Sequence, residues 1–380
     1  MRSFFSVVFV FIAIALYGQN RVITTGVPFL LITSDARSAG MGEQGVATTP
    51  DAFSQNWNPS KYSFAPRESG IGVSYTPYLS QLVNDIFLAN VSYYKVVSER
   101  AAWATSLKYF SLGEIEIGET PRDFENPLIE RPNEFVFDFS YALKLNESFS
   151  LGVTGAFINS DLKLDSATDD ASAASTVAFG VSGYYHSDQR DFSNFEGKWR
   201  GGFNISNLGP KLTYETDGYA DYLPTNLKLG GGFDFVLDSY NTLSLGLEIN
   251  KLLVPTPSEP IKSNDEDEII GYAQPDVSFL SGIFKSFGDA PGGFNEELQE
   301  FTWALGAEFN YNNAFALRAG YFNEHEDKGA RKFITLGAGF KYNVVDIDLS
   351  YLISATKVIN PLENTLRFSL TFNFGDSLEN

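Results

Sequence analysis

Stretches of alternating apolar and polar residues run through this 380-residue chain almost from end to end, at 70–75, 86–95, 101–110, 135–145, 149–158, 176–185, 199–207, 226–236, 242–252, 302–311, 314–322, 332–342, 345–353 and 365–374. Side chains on a strand point alternately to opposite faces, so each stretch has one apolar face and one mostly polar face. In "FVFDFSYALKL", Phe135, Phe137, Phe139, Tyr141, Leu143 and Leu145 share one side, and Val136, Asp138, Ser140, Ala142 and Lys144 share the other. A single strand of this kind suits a soluble sheet as well as a membrane wall. The recurrence decides between them. Most stretches approach the ~9–11 residues that cross a bilayer at a tilt, and about fourteen of them, an even number, suit a closed antiparallel barrel.

The connections sort the same way. Short ones at 96–100, 146–148, 237–241, 312–313 and 343 alternate with long ones at 111–134, 159–175, 208–225, 253–301, 323–331 and 354–364. Short turns on one side and long loops on the other mark an outer-membrane barrel, with periplasmic turns and extracellular loops. The connection at 186–198 is long on the short side, which implies either a periplasmic contact or a miscounted strand.

Asp138, Lys144, Lys228, Asp234, Glu248, Glu308, Arg318, Lys341, Asp346, Asp348 and Arg367 all fall opposite the aromatic residues of their own strands. A charge facing hydrocarbon at mid-bilayer costs about 2–4 kcal/mol, so these side chains are expected to face a wet or salt-bridged lumen. Glycines in "LGGGFDF" and "LGAGFKY" suit tight lumenal packing. Phe135, Trp103, Tyr185, Trp199 and Tyr342, near segment ends, suit aromatic girdles.

Beyond the N-terminus no apolar run reaches the ~20 residues of a transmembrane helix. "MRSFFSVVFVFIAIALYGQ" has a cation, an apolar run and then small or polar residues, which reads as a cleavable signal over 1–19. A formal charge of −20 argues against nucleic acid as a partner. Cysteine is absent, so neither disulfides nor thiolate metal sites are available. The two histidines, His186 and His325, fall in connections on opposite sides and cannot share a site. No phosphate loop or dinucleotide fingerprint stands in a strand–turn–helix context. The expectation is a non-enzymatic protein without cofactor or metal.

Between the signal and the first strand lies "SDARSAGMGEQGVATTPDAFSQNWNPSKYSF", 34–64, too rich in Gly, Ala and Pro to form a long strand. A segment there is either a periplasmic extension or a plug, and Asn58-Pro59 is by itself only a turn marker. In the longest loop, Val277, Leu280, Ile283, Phe284 and Phe287 recur at helical spacing and predict a short amphipathic helix over the barrel mouth. Its stripe would dock on a partner or pack on neighbouring loops. The acidic run Asp265–Glu268 reads as a solvated or cation-binding loop.

The 34–64 segment resembles the N-terminal hatch of the FadL family of outer-membrane barrels, with Asn58-Pro59-Ser60 in place of the family's Asn-Pro-Ala element. The final stretch, "LRFSLTFNF", resembles the C-terminal signal by which such barrels are recognised for insertion, although "GDSLEN" follows it. "ARSAGMGEQGVAT", "WNPSKYSF", "FGDAPGGFNEELQEFTWALGAEFNYNNAFALRAGYFNE", "KGARKFITLGAGFKYNVVDIDLSYLI" and "PLENTLRFSLTFNF" together resemble the PorV family, FadL-like proteins of the type IX secretion system. That resemblance implies an all-β, fourteen-stranded transmembrane barrel over 70–374, with a hatch in 20–69 and a periplasmic tail at 375–380. It further implies the outer membrane as location, with long loops outside and both termini periplasmic. The implied task is to bind C-terminal secretion domains of cargo leaving a SprA-type translocon and to carry them to a PorU-type sortase complex, amid outer-membrane lipid and lipopolysaccharide. The competing reading is a FadL-like channel for hydrophobic small molecules, which would concentrate apolar surface in the lumen.

Overall fold

The computed structural model describes residues 21–117, 128–162, 173–214, 220–262, 269–356 and 360–377. The expected signal at 1–19 and the acidic run Asp265–Glu268 lie outside them. Fourteen antiparallel strands form the wall. They are β1 (Arg67–Pro77), β2 (Ile86–Ser98), β3 (Ala101–Leu112), β4 (Asn133–Asn146), β5 (Phe149–Asp161), β6 (Ala174–His186) and β7 (Glu196–Leu208), followed by β8 (Asn226–Val236), β9 (Asn241–Leu252), β10 (Phe301–Tyr311), β11 (Phe315–Asn323), β12 (Lys332–Tyr342), β13 (Val345–Ser354) and β14 (Leu366–Ser377). Each pairs with its neighbours in sequence, and β14 closes on β1 with Val73 opposite Leu370. Closure leaves no unpaired sheet edge inside the wall, the condition for a sheet to span lipid.

The period-two pattern sets which side chains face outward. On β4, Phe137, Phe139 and Tyr141 are exposed while Val136, Ser140 and Ala142 are buried. Of the charged residues expected inward, Arg318, Glu308, Asp348, Asp234, Glu248 and Arg367 are buried or paired inside the barrel. Tyr185, Trp199 and Tyr342 stand exposed near the short-turn end.

β1 begins at Arg67 and β14 runs to Ser377, slightly wider than the 70–374 read from the alternation. The long connection at 186–198 is a property of the fold and leaves the strand count unchanged. Arg190–Asp191 pairs with Glu196 and Gly197 at the foot of β7, extending that strand beyond β6. Among the long loops, Ile115–Ile117 pairs with Leu128–Glu130 and Glu259–Lys262 pairs with Ile269–Ala273.

The first and last described residues lie at opposite ends of the barrel, whereas the resemblance implied both termini on the short-turn side. Arg21 lies among the long loops, against Tyr272 and Glu296, whereas the final strand ends at the short-turn side. From Arg21 the chain descends through the lumen to Phe64, which meets His186 and Lys144 at the short-turn end, and β1 then begins the wall. On the way it forms the short helical turns Pro28–Leu31, Ala36–Ala39, Ser54–Asn56 and Pro59–Phe64.

Candidate functional site

The lumen is occupied by 26–64, and three kinds of residue hold this segment there. Glycine provides the space. Gly246, Gly306 and Gly320 stand in one register row across β9, β10 and β11, all facing inward. A β-carbon on Gly306 or Gly320 would fall inside Gln44 or Gly42. Gly42 itself has φ +76°, and a β-carbon there would come within 2.9 Å of the Tyr321 backbone. Gly202 and Gly230, opposite each other on β7 and β8, receive Val46.

Charge supplies the fastening. Arg37 bonds both oxygens of Glu308, at 2.9 and 3.0 Å, and Asp51 at 2.8 Å. Arg318 joins the same Glu308 to Asp348. The Glu248 carboxylate accepts the Gly45 and Val46 N–H groups at 2.8 and 2.9 Å. Arg200, paired with Asp234, also donates to the Ala47 carbonyl, and Arg367 pairs with Glu43 at 2.9 Å. Buried ionic groups that lose one partner leave an uncompensated charge, so each tie strongly resists removal of the segment.

Asn58 supplies the third kind of contact. It is fully buried and caps the turn that starts at Pro59, its Oδ1 accepting from the Ser60 N–H. Proline suits this first position because its missing N–H has no helical partner there. Asn58 Nδ2 donates to the Val46 carbonyl at 2.8 Å and to the Gly183 carbonyl of β6 at 2.9 Å. Ser60 Oγ donates to Asn58 Oδ1, and the Ser60 carbonyl accepts from Ser150 on β5.

At the opposite end the longest loop, 253–300, is fixed by a buried ionic cluster. Lys251 Nζ lies 2.7 Å from Glu300 and 3.3 Å from Glu297, and Lys328 Nζ lies 3.1 Å from Glu300 and 2.8 Å from Glu296. Thr256 donates to Glu300 at 2.6 Å. Burial alone would raise Glu296, but its bond to the Lys328 ammonium prevails and holds the carboxyl below its ordinary value. A bond from Lys211 holds Asp276 below the usual range in the same way.

The helix expected in this loop is present as Phe279–Lys285, capped by the Ser278 hydroxyl, but it is too short to make one continuous stripe. Leu280, Phe284 and Phe287 point away from the barrel, with Phe284 78% exposed. Val277 and Ile283 are half-buried on the inner side with Gly282, whose β-carbon would meet Tyr222 and Pro255 at 3.0–3.1 Å. A second helix, Phe294–Gln299, adds exposed Phe294 (75%) and Leu298. Their i, i+4 spacing was readable in the sequence. The two helices and the turn after the first therefore display Leu280, Phe284, Phe287, Phe294 and Leu298 on a base held by buried ion pairs.

At the long-loop end of the lumen, against the lumenal segment, lies a cavity of about 500 Å³. Leu31, Ile32, Phe322 and Leu362 give it apolar wall, and Lys228, Glu43 and Arg331 give it charge. Trp57 lies on its boundary, with Lys228 Nζ 4.2 Å from the ring centre.

His186 packs edge-on against Phe64 at the short-turn end, and His325 caps the turn Glu326–Lys328 among the long loops. They stand at opposite ends of the barrel. Among the described residues no group of three or more His, Asp or Glu side chains is arranged to hold a metal ion.

No curated protein matches the sequence. Solved structures of similar fold include two forms of the TodX monoaromatic hydrocarbon channel. The deltaS2S3 form has a TM-score of 0.53 and 13% identity, covering 90% of this chain and 99% of that one. The deltaS2 form has a TM-score of 0.51 and 13% identity, covering 90% and 98%. The Pseudomonas putida toluene transporter TodX follows at 0.49 and 12%, covering 93% and 98%. At such identities the first two establish a shared fold only, that of the FadL-type outer-membrane barrels. The family model for the type IX secretion system protein PorV matches residues 16–259, well over half the chain. With the closed fourteen-stranded wall and the filled lumen already described, that match shows that the chain belongs to the PorV family of the type IX secretion system.

Proposed function

We propose that this outer-membrane protein receives the C-terminal secretion domains of cargo at a SprA-type translocon and carries them to a PorU-type sortase complex. Its long loops face the outside of the cell and do the binding, with lipid and lipopolysaccharide around the barrel. The observation that carries this reading is the division of the molecule. The lumen is occupied by a segment tied through buried charge, while Leu280, Phe284, Phe287, Phe294 and Leu298 stand exposed on an anchored loop. A cluster of large exposed apolar side chains on an ordered base is the usual mark of an interaction surface. The asymmetry of short turns and long loops supports the orientation.

The test is direct binding of a purified secretion domain to the detergent-solubilised barrel. Phe284→Asp with Phe287→Asp is expected to weaken binding at least about tenfold while the barrel stays heat-resistant on a gel. Unchanged affinity would return these side chains to a structural role.

The cavity beneath the loops favours a second reading, a FadL-like channel for hydrophobic small molecules. That role requires a route past 26–64. Permeation of a small apolar probe into vesicles holding the intact protein would establish it.

A further inference from the structure

The first described residues form an arm that joins three long loops. The Arg21 guanidinium lies 4.5 Å over the Tyr272 ring and 3.5 Å from Glu296. Lys328 Nζ donates to the Arg21 carbonyl at 3.2 Å, and Gln274 Nε2 donates to the Thr24 carbonyl at 2.9 Å. The Gly26 N–H donates to the Tyr222 carbonyl at 2.9 Å. Tyr222 belongs to 209–225, Tyr272, Gln274 and Glu296 to 253–300, and Lys328 to 324–331. Among the described residues the arm has no strand partner and is held by these individual bonds.

The contacts reach the apolar patch. The Tyr222 hydroxyl donates to the Pro275 carbonyl at 2.9 Å and accepts from the Val277 N–H at 3.2 Å. Val277 is the last residue before Ser278, the cap of the helix that carries Leu280 and Phe284. The bond from Gly26 thus ends on the residue that seats this helix.

We infer that the chain enters its own barrel from the outer face of the membrane, and that the arm 21–26 is a strut of the loop platform, positioning the patch that takes secretion domains. This rests on the reading that the long loops face outward and bind cargo. The strut works through modest forces: a cation over an aromatic ring, a partly exposed ion pair and three hydrogen bonds to backbone carbonyls. Each is weak alone, but together they connect loops that are far apart in sequence.

Two epitope insertions test the topology, one immediately ahead of Arg21 and one at Gly288, where a β-carbon would meet nothing within 4 Å. Antibody labelling of intact cells is expected to reach both. Labelling at Gly288 with silence ahead of Arg21 until the outer membrane is permeabilised overturns the inference and leaves the loop orientation standing. Silence at both overturns the orientation itself, and the inference with it. The strut role is tested separately by Arg21→Ala with Gln274→Ala. Cleavage of the 253–300 loop by added protease is expected to accelerate about fivefold in a barrel that remains heat-resistant. An unchanged cleavage rate overturns the strut.

Discussion

Asn58 shows how much a single residue does in the lumen. Its side chain caps a turn, holds the Val46 carbonyl and reaches the Gly183 carbonyl on the wall. Asn58→Ala removes a cap worth about 0.5–2 kcal/mol and leaves two buried carbonyls short of a donor, at about 1–3 kcal/mol each. The temperature at which the folded band converts to the unfolded band on a gel is expected to fall by several degrees. An unchanged conversion temperature would remove Asn58 from the fastening. The glycine row gives a sharper contrast. Gly306→Leu puts a side chain where Gln44 sits and is expected to cost about 1–3 kcal/mol and to raise permeability to small solutes. Gly155→Leu, on the outward face with nothing within 4 Å of a β-carbon, is expected to change neither. The residue scale was also the least legible in sequence. Asn58-Pro59 read as a turn, and only a family resemblance gave it a hatch. The pairing of Arg37 with Glu308 joins residues 271 positions apart, and no local pattern carries such a partner.

Elements were far more legible, because a strand between lipid and lumen must alternate. The charges on the strands already pointed to the inner face, for the reason that hydrocarbon excludes them. The loop helix was legible in place but only partly in orientation. Helical spacing grouped Val277 and Ile283 with Phe284, whereas the seven-residue helix turns Gly282 inward against Tyr222 and Pro255 and leaves only Leu280, Phe284 and Phe287 outward. The N-terminal arm left no trace in the sequence, since six residues held by single bonds have no period. The loop anchor has a defined pH response. Glu296 sits below its ordinary 4.5 when folded, so its contribution is present above that value and is lost as pH falls through the lower, folded one. Protease sensitivity of the 253–300 loop is therefore expected to stay level between pH 7 and pH 5, by the same linkage, and to rise only at more acid pH. A rise already near neutral pH would assign the anchoring to other groups.

At the scale of the whole molecule, the barrel is filled by its own N-terminal segment, and beyond the apolar outer wall it exposes Leu280, Phe284, Phe287, Phe294 and Leu298 at the long-loop end. Deleting the segment through Phe64 is expected to leave the wall intact and to raise leakage of small solutes across the outer membrane. Unchanged leakage would mean that other parts of the chain close the lumen. The lack of a helix-length apolar run beyond the N-terminus argued against helical insertion, the net charge disfavoured nucleic acid, and the alternation gave the barrel. The task assigned to the barrel came from resemblance alone, because a lumen filled with charge-paired protein and a wet transport lumen place the same residue types inward. The most direct test is affinity purification of the tagged protein from solubilised outer membranes, with mass spectrometry of whatever accompanies it. The account predicts a very large translocon barrel together with exported proteins that share a C-terminal domain, and loss of those exported proteins from the Phe284→Asp, Phe287→Asp variant. A barrel that emerges alone, carrying small apolar molecules and indifferent to those substitutions, would contradict it.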